Sequence, residues 1–259
     1  MVALLLLTPL RWSRREVLIS AGGTAASWSL PAQATQVALR PVEAVVDSGS
    51  LGPMALYPDP ILRRRAAAVE KFGPSLQRFA DMLVDGMQST AIAASQYGVD
   101  ARIVALRRES SPDDRPLVLV NPRVLGRSAE VDMVPWREIC LVLPPELEIE
   151  LLRDEWVDVE AEDPSGRTFR RVLRGEPARA FQHELDHLNG VLIIDHAGLE
   201  ELPPAIRERE RSEHAVRQLR AFRRPVEVSR LPDPATGVRA PRPVEARSVF
   251  AIEEDLARL

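Results

Sequence analysis

Apolar residues recur along the chain with helical spacing in some segments and strand-like runs in others. Between residues 74 and 89 they fall three and four apart, which predicts a helix with one face in the core. The positions on that face are Leu76, Phe79, Met82, Leu83 and Met87. Short apolar runs bounded by polar turns predict four strands, at 101–108, 116–122, 140–144 and 156–163.

Turn signals and a second helix follow these strands. The sequence PSGRTF at 164–169 has the composition of a hairpin turn that leads into a further strand-like segment. The next helix has Pro177 near its first turn and Asn189-Gly190 as its stop. The charged segment 198–222 is predicted to be helical as well.

Composition and charge exclude some classes of protein. The 259 residues are 45% apolar with a formal charge of −4, which allows a sizeable core and gives no sign of a nucleic-acid binder. Basic residues nevertheless cluster at 62–65 and 207–224. Cys140 is the only cysteine, which excludes an intrachain disulfide. No segment reaches the roughly 18 consecutive apolar residues that a membrane span needs.

The N-terminus has the features of a targeting segment. Residues 1–15 contain no acidic residue, SRREVL at 13–18 is similar to a twin-arginine signal, and AQA at 32–34 fits a cleavage site between small residues. We therefore expect residues 1–34 to be a removable leader, for bacterial export or for an organelle. The alternative is an ordinary N-terminus with a chance pair of arginines.

The sequence AFQHELDHLNG at 180–190 contains the spacing of a helical metal site. His183 and His187 are four residues apart, so on a helix both imidazoles can reach one ion, and they suit Zn²⁺ or Fe²⁺. Glu184 can act as a general base that accepts a proton from a water molecule beside the ion. A catalytic site needs a third ligand, for which Cys140 is a candidate; the alternative is that this cysteine is a small buried apolar residue.

Three motifs in order resemble those of the peptide deformylase family. STAIAASQYGV at 89–99 is similar to G-x-G-x-A-A-x-Q, and EICLV at 138–142 is similar to E-G-C-L-S. QHELDHLNGVLIIDH at 182–196 is similar to the third motif, Q-H-E-x-D-H. The resemblance covers roughly residues 51–200 and implies an α+β fold, with a central H-E-x-x-H helix packed among small antiparallel β-sheets.

The resemblance also implies a reaction and a set of residues. It implies metal-dependent hydrolysis of the N-formyl group from the N-terminal methionine of newly synthesised proteins, with release of formate. The implied ligands of one divalent ion, Fe²⁺ first and Zn²⁺ or Ni²⁺ as alternatives, are Cys140, His183 and His187. Glu184 would transfer protons, while the side chain of Gln96 and the backbone N–H of Leu141 would hold the oxyanion. The resemblance further implies a pair between Glu138 and a downstream arginine, for which Arg153 is the candidate.

The chain departs from the family motifs at positions that shape the backbone or the pocket. These positions are Ser89, Ala91, Ser95, Ile139 and Val142. A β-branched side chain at Ile139, beside the cysteine, could narrow the pocket or shift the strand. Ile139 and Val142 favour one alternative, a homologue that binds formylated or nascent N-termini without turnover, whereas Glu184 argues against it because a protein that only binds needs no base. A zinc protease is the other alternative, and it would need His196 or His214 as its third ligand.

These expectations give a layout for the whole chain. After the leader we expect a linker at 35–50, a deformylase-like catalytic domain at 51–200 and a charged C-terminal helix at 201–224. A largely disordered tail with prolines and arginines is expected at 225–259. The basic C-terminal region could contact the ribosome, although a solvated tail is the favoured interpretation. The implied reaction takes place where formylated chains emerge, in the bacterial cytoplasm, the plastid stroma or the mitochondrial matrix, and a leader for export conflicts with these places. We therefore favour an organelle, with a plastid before a mitochondrion, and leave the bacterial cytoplasm or export open.

Overall fold

The computed structural model describes residues 36–107 and 115–231. The predicted leader and the last part of the predicted tail, 232–259, lie outside the described residues. Within the described part the chain forms five α-helices: α1 (Val42–Ser48), α2 (Pro74–Asp85), α3 (Gly175–Leu188), α4 (Pro204–Glu210) and α5 (His214–Ala221). None of these helices has the length and apolar character to cross a membrane.

Two antiparallel sheets accompany the helices. Their strands in the described residues are β1 (Ala91–Ala93), β2 (Ile103–Leu106), β3 (Leu117–Arg127), β4 (Met133–Glu138), β5 (Ile149–Asp154), β6 (Trp156–Glu162) and β7 (Thr168–Arg174). The larger sheet has the order β1-β2-β3-β6-β7, and β4 pairs with β5 in a two-stranded sheet. Every pairing among these seven strands is antiparallel, so the expected α+β class with small antiparallel sheets is confirmed.

Three of the four predicted strands are confirmed as β2, β3 and β6, and so is the hairpin that joins β6 to β7. The carboxylate of Asp163 accepts hydrogen bonds from the backbone N–H of Ser165 at 2.9 Å and of Arg167 at 3.1 Å. Gly166 has a φ of 89°, which glycine adopts without strain. The turn therefore forms from the residues that its composition suggested.

The fourth predicted strand is wrong, because residues 140–144 form a turn. Strand β4 ends at Glu138, and the N–H of Leu143 donates to the carbonyl of Cys140 at 3.0 Å. The proline at the end of the run has no N–H to give to a neighbouring strand. The run is apolar because it is buried, with Val142 only 1% exposed, and its burial does not come from strand pairing.

Helix α2 presents the predicted apolar face to the core. Leu76, Phe79 and Leu83 are buried together in one cluster with residues of β1 and β2. Val45 belongs to the same cluster. It lies in α1, within the segment 35–50 where the pattern predicts a linker. This helix has only seven residues and one buried side chain, which is too short a pattern to predict from spacing.

The charged C-terminal segment, predicted as one helix at 201–224, is divided into α4 and α5. Helix α4 ends at Glu210, whose side chain is buried and accepts hydrogen bonds from the Tyr57 hydroxyl at 2.7 Å and from Arg63 at 3.0 Å. Because Tyr57 is 153 residues away in the chain, the local sequence gives no sign of this contact. Helix α5 begins separately at His214.

Residues 225–231, at the start of the predicted tail, lie along the larger sheet. The N–H of Glu227 donates to the carbonyl of Val124 in β3 at 2.6 Å. Glu160 of β6 is 1% exposed and accepts a hydrogen bond from the Ser229 hydroxyl at 2.5 Å. Hydrogen bonds to the sheet therefore hold these first residues of the predicted tail, and the expectation of a largely disordered tail stays a prediction for the rest.

Helix α3 is placed between the larger sheet and β4. Phe181 and Leu188 on one side of the helix are fully buried in a cluster with Leu119 of β3 and residues of β6. On the other side, His183 contacts Glu138 at the end of β4. The apolar side packs the helix on the sheet, and the other side carries the histidines of the H-E-x-x-H motif.

Candidate metal centre

The end of helix α3 is fixed by a glycine. Gly190 has a φ of 71°, in the left-handed region that commonly ends helices. A Cβ atom at this position would lie 2.3 Å from the carbonyl oxygen of Arg63, so only glycine fits. The predicted stop at Asn189-Gly190 is confirmed, and it turns the chain away soon after His187.

Three buried side chains converge beside this helix. The candidate ligand atoms of Cys140, His183 and His187 all lie within 4.8 Å of one another. The Cys140 Sγ atom is 3.2 Å from His187 Nε2. A thiol and two imidazoles are donors that suit a divalent transition metal, and three ligands leave one position open for solvent or substrate. The structure thus brings together the three residues predicted to bind a metal.

Glu138 orients the first histidine. Its Oε2 atom is 2.8 Å from His183 Nδ1, which leaves Nε2 of that ring for an ion. Arg153 donates two hydrogen bonds to the same carboxylate, both at 2.9 Å, so the predicted Glu138–Arg153 pair is confirmed. Burial raises the pKa of Glu138, but the charge of Arg153 and the hydrogen bonds from Arg153 and His183 hold it well below its usual value.

The same arginine reaches α3 between the two histidines. Arg153 donates to Asp186 Oδ2 at 2.6 Å, and His196 Nε2 is 2.9 Å from that oxygen. Burial raises the pKa of Asp186, but Arg153 and His196 outweigh it and lower the pKa overall. His214 Nε2 lies 3.0 Å from the carbonyl of Ala197. Within the described residues neither His196 nor His214 joins the ligand group, so the zinc-protease alternative lacks its third ligand.

Glu184 follows the first histidine and is buried beside it. Its Oε2 atom has no hydrogen-bond partner in the part of the chain that the structure describes, which is rare for a buried oxygen. Burial raises the pKa of Glu184, although the two histidines partly oppose this effect. The pKa of Cys140 moves the other way: burial raises it, but His187 and His183 outweigh burial and lower it to about 5. The site therefore favours a thiolate, the form that binds metals.

Gln96 and Leu141, the predicted oxyanion donors, lie on two loops. Leu141 follows Cys140 directly, so its N–H is next to a candidate ligand. Gln96 is 2% exposed in the short 3-10 turn Ala94–Tyr97, and its Oε1 atom accepts the N–H of Ala93 at 2.8 Å. This bond orients the amide and leaves its NH₂ group as the donor. Within the described residues no hydrogen bond joins Gln96 to the three ligands.

A segment outside the three motifs links these two loops. The N–H of Ala55 donates to the carbonyl of Gln96 at 2.8 Å, and the N–H of Tyr57 donates to the carbonyl of Val142 at 2.7 Å. The first and second motifs are therefore held together through residues 55–57. No sequence signal predicts this role, because the bonds use backbone groups that every residue carries.

The departures from the family motifs leave the donor groups in place. The Ser95 hydroxyl donates to the carbonyl of His187 at 3.3 Å, and the Ser89 hydroxyl donates to the carbonyl of Ala91. Ile139 is 61% exposed, so its side chain points toward solvent and not toward the buried ligands. These replacements therefore change the surroundings of the site and not its ligands.

Fold and site together define a metal-dependent hydrolase with an H-E-x-x-H helix and a cysteine beside the two histidines. A model of the polypeptide deformylase family matches residues 52–202. The chain belongs to the polypeptide deformylase family, and its activity is that of a metal-dependent amide hydrolase that removes the formyl group from N-formylmethionyl peptides.

Named relatives agree with this assignment. Peptide deformylase of Thermotoga neapolitana is 36% identical over 143 residues, which are 54% of this chain and 83% of the relative. Chloroplastic/mitochondrial peptide deformylase 1B of Arabidopsis thaliana is 33% identical over 195 residues, 74% of this chain and 64% of the relative. The Met-Ala-Ser-bound class I type b peptide deformylase of Acinetobacter baumannii has a TM-score of 0.52 at 31% identity, covering 56% of this chain and 97% of that one.

Proposed function

We propose that the chain carries out the family reaction with Glu184 as the proton carrier and with Gln96 and Leu141 as oxyanion donors. A water oxygen bonds to the formyl carbon of an N-formylmethionyl peptide, and the bond from that carbon to the amide nitrogen breaks. The products are formate and a free α-amine. The observation that carries the proposal is the buried Oε2 atom of Glu184, which has no partner in the described residues and lies on the residue next to His183.

Cys140, His183 and His187 are the proposed ligands of one divalent ion. We favour Fe²⁺, as the family resemblance implies, with Zn²⁺ and Ni²⁺ as alternatives. One thiolate and two imidazoles are donors that suit all three ions. When bound, such an ion polarises the formyl oxygen and makes water more acidic. Glu138 supports the binding because it fixes the ring of His183 with Nε2 free.

Glu184 is proposed to move one proton through the reaction. Its carboxylate accepts a proton from the attacking water and later gives that proton to the leaving amine nitrogen, so no net proton remains on the enzyme. Burial raises its pKa and makes the carboxylate a stronger base than an exposed glutamate. Negative charge that develops on the formyl oxygen meets the N–H of Leu141 and the side-chain amide of Gln96.

Formate release tests this proposal directly. The full chain is purified anaerobically with Fe²⁺ and incubated with formyl-Met-Ala-Ser, while bound metal is measured on the same sample. Release of formate by wild type, with loss of release but not of metal in Glu184→Gln, supports the assigned roles. One equivalent of metal without formate release would instead identify a protein that binds formylated N-termini without turnover.

We also propose a plastid as the compartment, with residues 1–34 as a cleaved transit peptide. Two observations support this: the first 15 residues have no acidic side chain, and a relative is named as chloroplastic/mitochondrial. Fusion of residues 1–34 to a fluorescent protein tests the proposal in plant cells. Mitochondrial import, or export in bacteria, would contradict the plastid assignment.

The basic residues at 207–224 are proposed to contact the ribosome. Several already pair within the chain, for example Arg211 with Glu208 and Arg217 with Glu213, so the contact is expected to be weak and sensitive to salt. Sedimentation of the full chain with ribosomes at low and high salt measures it. Absence of co-sedimentation at low salt would contradict the proposal.

A further inference from the structure

Hydrogen bonds from an earlier part of the chain hold the backbone around Gln96. The carbonyl of Gln96 accepts a hydrogen bond from the N–H of Ala55 at 2.8 Å, and the carbonyl of Tyr97 accepts one from Nη2 of Arg40 at 3.1 Å. The carbonyl of Gly98 accepts the backbone N–H of Arg40 at 2.8 Å. Three successive carbonyl groups are therefore bound, and Arg40 supplies two of the three donors.

Arg40 is itself fixed through both its side chain and its backbone. The same Nη2 atom donates to the carbonyl of Leu51 at 2.5 Å, so the guanidinium joins the Gln96 turn to the loop after α1. A terminal guanidinium nitrogen carries two N–H groups and can serve both carbonyls at once. The N–H of Asp100 donates to the carbonyl of Arg40 at 3.2 Å, and Arg40 forms a parallel β-bridge with Val99.

The residues before Arg40 pack directly against the end of the turn. Gly98 has a φ of 69°, and a Cβ atom there would lie 2.7 Å from Val37 Cγ1 and 2.8 Å from the carbonyl oxygen of Ala38. The N–H of Val37 donates at 2.7 Å to Asp59, which is 2% exposed. Val45 in α1 is fully buried. The segment is therefore anchored on both sides of its contact with the turn.

We infer that Arg40 is a positioning residue for the deformylation reaction, because its guanidinium holds the turn that presents the side-chain amide of Gln96 to the oxyanion. The inference rests on the proposed function of Gln96. Oε1 of that amide is bound by the N–H of Ala93, so the amide moves with the backbone of the turn. A donor acts on an oxyanion only at about 2.7–3.1 Å. A displacement of about 1 Å can cost about 100-fold in rate.

Arg40 lies before the region that the family model matches, which begins at residue 52. It belongs to the segment 35–50, for which the sequence pattern predicts a linker. Because this segment binds the turn of a proposed catalytic residue, it belongs to the catalytic unit. Cleavage of the proposed leader after residue 34 leaves it intact.

Kinetics of the iron-loaded full chain with formyl-Met-Ala-Ser test this role. Arg40→Met removes both side-chain hydrogen bonds and keeps an apolar stem. We expect kcat to fall about tenfold and KM to stay within about twofold of wild type, because the oxyanion exists only in the transition state. Arg40→Lys keeps a charged donor and should give an intermediate kcat. Metal analysis should find one equivalent in each variant.

A Gln96→Glu background separates positioning from a general structural role. Glutamate keeps an oxygen for the N–H of Ala93 but lacks the NH₂ donor, so kcat should fall about 10²–10³-fold. Because Arg40 is inferred to act through that donor, Arg40→Met should leave kcat unchanged within about twofold in this background. The same loss from Arg40→Met with and without the Gln96 donor would overturn the inference.

Arg123 supplies the matched control. Its side chain is 14% exposed and, like Arg40, it ties a segment near one end of the described residues to the rest of the fold, through Glu227 at 2.7 Å. Arg123→Met should keep the wild-type kcat. Equal falls in kcat in Arg123→Met and Arg40→Met, or wild-type kcat in Arg40→Met, would overturn the inference.

The remaining outcomes separate this role from the proposed function. If Arg40→Met does not fold, Arg40→Lys carries the same comparison in both backgrounds, and wild-type kcat in Arg40→Lys would then overturn the inference. Full kcat in Gln96→Glu would instead overturn the role proposed for Gln96. Failure of wild type to release formate would overturn the proposed function.

Discussion

Replacing Arg153 by leucine should destabilise the fold severely, because buried carboxylates would lose their cation. Arg153 is 3% exposed and donates two hydrogen bonds to Glu138 and one to Asp186. Removal of one partner from a buried ion pair costs about 3–5 kcal/mol. This is a large share of the roughly 5–15 kcal/mol by which domains are stable.

Urea denaturation followed by tryptophan fluorescence measures this cost on metal-free protein. Arg137→Leu is the control, since its ion pair is exposed and is worth about 0–1 kcal/mol. The double variant Arg153→Leu with Glu138→Leu also removes one of the buried carboxylates that would lack a cation. Its loss in free energy of unfolding should therefore be smaller than the sum of the losses in the two single variants. An Arg153→Leu cost equal to that of the control would refute the reasoning.

The pH dependence gives a second readout of the same variant. The pKa values of Glu138 and Asp186 are lowered in the folded protein, so their pairing stabilises the fold above the ordinary carboxyl pKa of about 4. This stabilisation is lost as the pH falls from there through the lower folded pKa values. In Arg153→Leu the loss of stability on lowering the pH should be smaller than in wild type. An unchanged acid dependence in Arg153→Leu would contradict the assignment of the lowered pKa values to this arginine.

Three further substitutions test other parts of the structure. Glu184→Gln should keep one equivalent of metal and lose about 10²–10⁴-fold in kcat, by metal analysis and formate release. Burial raises the pKa of Glu184, so folding at pH 7 disfavours its charged carboxylate, a cost that a glutamine does not have. Metal-free Glu184→Gln should therefore be more stable than metal-free wild type at pH 7 and equally stable near pH 3, where this carboxyl group is protonated in both states. Cys140→Ala should lose its ion on dialysis, and retention with unchanged affinity would show that the ligand set is wrong. Gly190→Ala should lower the free energy of unfolding by about 1–3 kcal/mol, measured by thermal unfolding. The control Gly73→Ala, where a Cβ would have nothing within 4 Å, should not lower it. Equal costs of the two substitutions would contradict the close approach of Arg63 to Gly190.

The ligand group could be predicted from the sequence, and its surroundings only in part. Two histidines four apart on a helix share a face whatever the rest of the fold does, so His183 and His187 needed only local geometry. Cys140 needed the resemblance of its motif, because an apolar run beside a cysteine is equally consistent with a strand and with a buried turn. In the structure residues 140–144 form a turn, and their apolar side chains are buried in the core although their backbone pairs with no strand.

Contacts between distant segments mark the limit of prediction from pattern. The sequence pattern predicts α4 and α5 as one charged helix, because it gives no sign that Glu210 binds Tyr57 inside the fold. The guanidinium carbon of Arg179 in α3 lies 5.7 Å from the centre of the Trp136 ring in β4. The sequence gives no sign of this contact, because neither spacing nor composition pairs a strand position with a distant helix position. Backbone bonds such as that from Tyr57 to Val142 leave no trace in residue type at all.

The bond between Tyr57 and Glu210 also orders events during synthesis. Tyr57 leaves the ribosome long before Glu210 is made, and its buried hydroxyl has no carboxylate to donate to until α4 has emerged. Helix α4 therefore completes a buried contact that Tyr57 cannot make alone. A chain that processes nascent proteins can form this part of its own fold only after α4 has been translated.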